Sequence, residues 1–372
     1  MTPLTLPVRN LRARPTRTLL TVLGAAVAVA SFIALAGLSQ GAQRSVEGGM
    51  EEAGGDLIVA ERSSFTLAGG SVPEQVGPGL AVEGVASVAA ELLNVSMIDR
   101  SANAVVAGWA DDSFLWDNLR LVAGRRANPQ ERAVVVLGEA LSSALGKTVG
   151  AEVEFRDRHY RIVGIARFDN VLNQSTAIVP LADLQHALGR PNSVTLFQVK
   201  LVHPIEAGRL DAVRARLQRV APGLAVLDGS EFAQNIRMIG LIGAIASTIS
   251  LVVLGTALLA IMNTLLMAVS ERTAEIGILA AIGWSNRRIA SMLVAEALIL
   301  SVLGALLGLG LGHLIMEFAS RAPIAAGYLR PYLTIAIAAE AAVAAVLIGL
   351  LGAVYPIWRA LKMSPAEAMR RI

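Results

Sequence analysis

Residues 270–283 read SERTAEIGILAAIG, a short charged stretch set between two long apolar runs. On its left, residues 239–269 carry no charge. On its right, after Arg287 and Arg288, residues 289–316 are interrupted only by Glu296 and His313. A helix needs ~20 apolar residues to cross the ~30 Å of hydrocarbon in a bilayer, and both runs are long enough. Two further runs, 18–38 and 333–358, also qualify. The chain therefore reads as a membrane protein with four transmembrane α-helices and a short charged helix between the second and third.

Composition agrees. The chain is 54% hydrophobic and 16% charged, with a mean hydropathy of +0.59; soluble domains carry roughly 25% charged residues. The apolar excess sits in the four runs, and the segment between the first two has ordinary soluble composition. The expected division is a lead-in over 1–17, spans at 18–38, 236–269, 289–318 and 332–358, and a large inserted region at 39–235. The short helix lies in 270–288, a loop in 319–331 and a tail in 359–372. Cysteine is absent, which excludes disulfides, thiolate metal sites and cysteine nucleophiles. A net charge of +3 is too small to point to nucleic acid.

The basic residues orient the spans. Arg9, Arg12, Arg14 and Arg17 precede the first span, Arg272, Arg287 and Arg288 lie in the short loop, and Arg359, Lys362, Arg370 and Arg371 follow the fourth. Loop 319–331 has only Arg321 and Arg330. Short cytoplasmic loops are enriched in Lys and Arg, so both termini and the 270–288 loop are expected in the cytoplasm and the inserted region outside. The first run also has the basic leader of a signal peptide, but it is too long for a signal core and lacks a clear small-x-small cleavage site. It is read as a retained span. Leu4, Leu6, Val8 and Leu11 among the arginines suggest a lead-in helix lying on the inner surface.

Past the first span, Val46 and Met50 at helical spacing suggest that the helix continues as a stalk, ended by Gly54 and Gly55. Strands are expected at 56–60, 85–98, 104–109, 132–137, 176–179 and 194–201, with a hairpin of 149–155 and 160–165 around Asp157 and Arg158. Residues 138–145 and 205–220 have helical patterns. The inserted region is thus α+β.

Residues 273–282 are good helix formers. Ile276, Leu279 and Ala280 fall on one face, Glu271, Arg272 and Glu275 supply polar contacts beside it, and Gly283 is placed to end the helix. Catalytic motifs are missing. Gly146-Lys147-Thr148 imitates the end of a phosphate loop, but position 141 is Leu rather than Gly. No enzymatic activity is expected of the chain alone.

Polar residues inside the spans are the remaining candidates. Glu296 has either a structural or coupling role or an interfacial pairing with Arg287 or Arg288. Glu340 is expected to face protein or a water-filled cavity. His313 and Glu317, at i and i+4, form either a metal or haem-like ligand pair or an interfacial pair with each other or with water. Gly304, Gly308 and Gly312 form a GxxxGxxxG stripe, either a close helix contact or a generally small-residue helix.

Four blocks carry a family resemblance: RNLRARPTRTLLTVLGAAVAVA at 9–30, LVAGRRANPQERAVVVLGEALSSALGKTVGAEVEFRDRHYRIVGIA at 121–166, SERTAEIGILAAIGWSNRRIASMLVAEALILSVLGALLGLGLG at 270–312 and YPIWRALKMSPAEAMRRI at 355–372. In order and content they resemble MacB-type, or FtsX-like, ABC transporter permeases. The resemblance implies a bacterial inner-membrane subunit working as a homo- or heterodimer with two ATPase subunits. ATP and Mg would be held by the ATPase, with no cofactor on this chain. It implies that Glu271, Arg272, Glu275, Ile276, Gly277, Leu279, Ala280 and Gly283 couple to that ATPase. It further implies export or extraction of a cargo through motion of the outer domain, with an extracytoplasmic adaptor or cargo as a possible partner. The alternative is an FtsX-like transmitter that regulates an outside partner such as a cell-wall hydrolase without transport.

Overall fold

One helix, α1 (Pro15–Ala53), runs unbroken for 39 residues. Proline suits its first position, where the missing N–H has no intrahelical partner to lose. It stops where Gly54 adopts φ +87, a conformation that side chains resist. The structure is a computed structural model that describes residues 10, 13–64, 66–128, 131–203, 208–320 and 332–362. The expected lead-in over 1–9, with Leu4, Leu6 and Val8, lies outside the described residues, as do Leu11, loop residues 321–331 and tail residues 363–372. Residues Gln40–Ile242 form one compact unit; Gly243–Ala319, with the helical residues up to Ser39 and those from Tyr332 on, form another.

The inserted unit follows α1. It holds β1 (Leu57–Glu61), β2 (Val72–Pro73), β3 (Val85–Ile98), β4 (Ala102–Trp109), β5 (Arg120–Gly124), β6 (Val134–Gly138) and α2 (Glu139–Leu145). Next come β7 (Glu152–Phe155), β8 (Arg158–Arg167), α3 (Val171–Gln174), β9 (Thr176–Pro180), α4 (Leu181–Leu188), β10 (Ser193–Val194) and β11 (Leu196–Leu201). It closes with α5 (Arg209–Val220), β12 (Leu224–Leu227) and α6 (Gly229–Asn235). Ten strands make one mixed sheet in the order β12-β1-β11-β3-β4-β9-β6-β8-β5, with β7 also on β8. The pairs β4–β9 and β6–β8 are parallel.

Period-two alternation sends side chains to two cores. Leu57 and Val59 enter one with Leu92, Leu137 and Phe197; Ile58 and Ala60 enter the other with Leu93, Val136 and Phe232. The second core also takes Val46 and Met50 of α1, the stalk residues whose spacing marked them. The all-apolar β6 is buried throughout, as suits a strand covered on both faces.

The structure adjusts several expectations. The β7–β8 turn sits on Arg156 and Asp157, at φ 50 and 58, rather than on Asp157 and Arg158. Two residues in the left-handed region match the right-handed twist of the flanking strands, and Arg158 instead pairs with Phe155. The strand expected over 194–201 is split at Thr195: β10 pairs with β2, and only β11 joins the main sheet. The expected 205–220 helix is described from Arg209, after Gly208 at φ +81. Strands β5 and β12 and helices α4 and α6 were not expected. Asp228 and Glu231 form a reciprocal capping box on α6.

Three more long helices follow, α7 (Arg237–Glu271), α9 (Asn286–Ser320) and α10 (Ile335–Lys362), with α8 (Thr273–Ala281) between the first two. With α1 they make four helices long and apolar enough to cross a membrane. Small residues let them approach. A Cβ on Gly304 would lie 2.6 Å from Ala25 Cβ, one on Gly308 2.6 Å from Val29 Cβ, and one on Gly312 3.1 Å from Ile33 Cβ. The glycine stripe of α9 therefore lies against α1 of the same chain. On α10, Gly349 lies against Ser301 and Ala297 of α9, and Gly352 against Ile261 and Leu258 of α7. The fold is a four-helix membrane protein with an α+β domain inserted between the first and second spans.

Candidate functional site

Helix α7 ends at Glu271, and Arg272 leaves helical geometry with φ −108 and ψ 22. The Thr273 hydroxyl donates back to the carbonyls of Val269 (3.0 Å) and Ser270 (2.8 Å), so the bend is held locally. At the other end of α8, Gly283 takes φ +93. Its N–H donates to Ala280 and that of Trp284 to Leu279, the double bond of a glycine-terminated helix. The chain then restarts at Asn286 as α9. Gly283 thus ends α8 as its position suggested.

The inner face of α8 is anchored by Ile276, buried with Val269, Ile289, Leu293 and Ala360. Thr273 and Gly277 are also buried, whereas Leu279 and Ala280 are only half-buried. A second pair of apolar residues is exposed: Ile278, which borders the cavity described below, is 49% exposed and Ile282, one turn on, 69%. Sequence reading missed this pair because it looked for a single stripe.

The charges around the bend interlock. Glu271 accepts from Arg14 and from Arg17, the latter at 2.9 Å. Arg272 reaches Glu275 at 2.8 Å and Glu296 at 3.1 Å, and the Asn10 amide also donates to Glu296. Higher up, the hydroxyls of Thr21 and Thr264 are 2.6 Å apart. Asn10, Arg14, Arg17, Thr264, Glu271, Arg272, Glu275 and Glu296 line a cavity of about 650 Å³. Glu296 is 1% exposed, and a buried carboxylate survives only when it is paired and hydrogen-bonded. The alternative partners Arg287 and Arg288 are exposed and make no bond to it. Arg288 lies about 12 Å along the axis of α9 from Glu296, out of reach, whereas the α7–α8 bend carries Arg272 to it.

Arg14 and Arg17 were read only as orienting charges, and Asn10 was not singled out. The available signal was spacing: Arg14, Arg17 and Thr21 fall at i, i+3 and i+7, one face of α1. The remaining candidates stand apart from this network. Gly304, Gly308 and Gly312 serve the α1–α9 contact. His313 and Glu317 are both exposed on α9. Glu340 is exposed on α10 and has no partner among the described residues, so within this chain it faces outward rather than into protein.

Two domain profiles match the chain. That of the MacB-like periplasmic core domain matches residues 18–220, and that of the FtsX-like permease C-terminal region matches residues 247–365. The chain is 26% identical over 394 residues to the macrolide export ATP-binding/permease protein MacB of Nitrobacter winogradskyi, covering 97% of this chain and 59% of that protein. It is 24% identical over 398 residues to an uncharacterized ABC transporter permease, YknZ, of Bacillus subtilis, covering 96% of each. A solved structure, the periplasmic region of MacB from Actinobacillus actinomycetemcomitans, aligns with TM-score 0.39 at 14% identity, over 50% of this chain and 94% of that one. With the core-domain match alone extending over more than half of its residues, the chain belongs to the MacB-like, FtsX-like family of ABC transporter permeases.

Proposed function

We propose that the chain is the permease subunit of an ABC transporter and that α8 receives the motion of an ATPase carried on a separate chain. The observation that carries this reading is the bond network at the α7–α8 bend. Arg272 joins α8 to Glu296 of α9, and Glu271 joins the end of α7 to Arg14 and Arg17 at the base of α1. A push on α8 therefore cannot be absorbed by α8 alone. It loads α1 and α9 together, and these two are already in close contact along the glycine stripe. Helix α1 then continues unbroken to Ala53, a rod of about 58 Å by helix rise.

The exposed Ile278 and Ile282 supply the contact for the ATPase, with the exposed Arg287 and Arg288 following in the chain at the start of α9. A separate ATPase is supported by the YknZ relative, named a permease and matched over 96% of both chains. The segregation of Arg14, Arg17, Arg287, Arg288, Arg359 and Lys362 supports placing α8 on the cytoplasmic side of a bacterial inner membrane. In this reading two permease chains and two ATPase copies assemble, and cargo is exported or extracted from the membrane or the outer side.

Purification of the tagged chain from its native membranes should bring down an ATP-binding subunit whose hydrolysis the permease stimulates. Ile278→Asp should leave membrane insertion intact and abolish the stimulation. Failure to recover such a subunit, or unchanged stimulation by the variant, would overturn the proposal.

A further inference from the structure

A second cavity, of about 670 Å³, opens in the inserted unit between the end of α1 and the sheet. Its size falls within the range of small-molecule sites, a few hundred to a thousand Å³. Trp109, Leu115, Leu119 and Phe168 supply apolar walls. The rest of the lining is polar and, apart from one group, internally satisfied. Glu52 accepts from the backbone N–H of Asp169 and from that of Asn170 (3.2 Å), and from the Asn173 side chain at 2.9 Å. Arg120 pairs with Asp169 at 3.2 Å. Arg167 holds Glu139 through two bonds of 2.8 Å.

The exception is Lys200. Its ammonium lies 5.7 Å from the centroid of the Phe114 ring and has no carboxylate or carbonyl partner among the described residues. The ring face holds a cation without neutralising it. A positive charge is thus presented to a cleft of mixed polar and apolar lining, in which Asp169 is paired with Arg120 and Glu52 is held by neutral N–H donors.

The cleft is also built to keep its shape. Asn118 donates to the carbonyl of Ala53 at 2.8 Å and ties the far wall to the end of α1. Gly54, at φ +87, permits that approach, because a Cβ there would lie 2.5 Å from the Asn118 amide nitrogen. Glu52 fixes the Asp169–Asn170 loop from the other side. A site whose walls are held before binding loses little entropy on binding.

We infer that this cleft binds an amphiphilic anion, with an aromatic or aliphatic body laid on Trp109 and Phe168 and an acidic group on Lys200.

The test uses the full-length chain in phosphatidylcholine nanodiscs, with empty nanodiscs as the blank. The probes are 2-naphthoate, 2-naphthamide and 2-naphthylmethylammonium, which share one apolar body and differ in charge. Saturable binding is measured by titration calorimetry. The carboxylate should bind at least ten-fold tighter than the amide and tighter still than the ammonium. Lys200→Gln should reduce carboxylate binding to the level of the amide, and Lys200→Arg should restore most of the preference. Equal unfolding temperatures of the variants establish that the fold is kept. Absence of saturable binding, equal affinity for the three probes, or an unaltered preference in Lys200→Gln would overturn the inference.

Discussion

Replacing Gly308 with Leu tests the packing of the helical unit most sharply, because Gly310 on the same helix is an internal control. A Cβ at 308 would lie 2.6 Å from Val29 Cβ and 2.7 Å from the Ala26 carbonyl oxygen, whereas one at 310 meets nothing within 4 Å. Unbonded carbons settle at about 3.5–4.0 Å. Even one methyl group at 308 therefore asks α1 and α9 to part by about 1 Å, and leucine asks for more. Overpacking of this kind costs about 1–3 kcal/mol. At 310 the same substitution meets open space and gains up to about 1 kcal/mol in helix propensity. That gain is common to both substitutions, so the two variants should differ by the packing cost, about 2 kcal/mol, which is roughly 30-fold in the folded ratio. Unfolding of the purified chain in mixed micelles with a rising fraction of dodecyl sulfate measures the difference. Because Ala26 and Val29 belong to the same chain, native mass spectrometry should show the oligomer population unchanged. Equal midpoints for the two variants would refute the packing argument, and a loss of oligomer without loss of stability would place the stripe between chains instead.

Other expected outcomes follow from single groups. Arg272→Ala leaves Glu296 buried without its cation and should destabilise the helical unit by about 3 kcal/mol, while Arg272→Met with Glu296→Leu should recover most of that loss in the same micelle assay; a double variant as unstable as the single one would contradict the assigned pairing. In the inserted unit, Glu91 is buried among neutral donors, Trp109 at 2.8 Å and Gln198 at 2.9 Å. Burial pushes its pKa up, against the pull of the hydrogen bonds from Gln198 and Trp109. An acid whose pKa is raised by folding contributes most below its unfolded value and loses that contribution as pH climbs through the raised one. Glu91→Gln should therefore unfold at a higher temperature than the parent at pH 7.5, with the gap narrowing toward pH 4.5; a gap independent of pH would mean that Glu91 does not titrate in this way. For topology, Ser285→Cys should react with a membrane-impermeant maleimide only after the cells are opened and the exposed Ser71→Cys in intact cells, a clean comparison in a chain without cysteine. The reverse pattern would invert the proposed orientation.

The long helices were legible because length and apolarity act locally: no partner is needed to see that residues 239–269 can cross a bilayer. Strand β6 was legible for the same reason, as its valines are buried on both faces. Strand β5 was not, because all five of its residues are exposed at the sheet edge and no alternation marks it. The split at Thr195 depends on which strands lie alongside, which residues 194–201 do not encode by themselves. In the candidate site, the spacing of Gly304, Gly308 and Gly312 announced a contact but not its partner. Glu296 was singled out for its cost in a span, yet the partner considered was its neighbour in sequence. The bend at Arg272 decides the matter, and it is a tertiary feature. Arg14 and Arg17 had a sufficient explanation as orienting charges, and that explanation hid their bonds to Glu271.

The claim that α8 takes up the motion of an ATPase is tested most directly by site-directed cross-linking. Single cysteines at positions 278, 282, 310 and 71 can be placed in the otherwise cysteine-free chain and treated, in native membranes, with a short thiol-to-amine cross-linker. Cysteines at 278 and 282 should yield adducts containing an ATP-binding subunit, and those at 310 and at the exposed position 71 should not. Failure at both 278 and 282, or an ATPase adduct from position 71, would contradict the account.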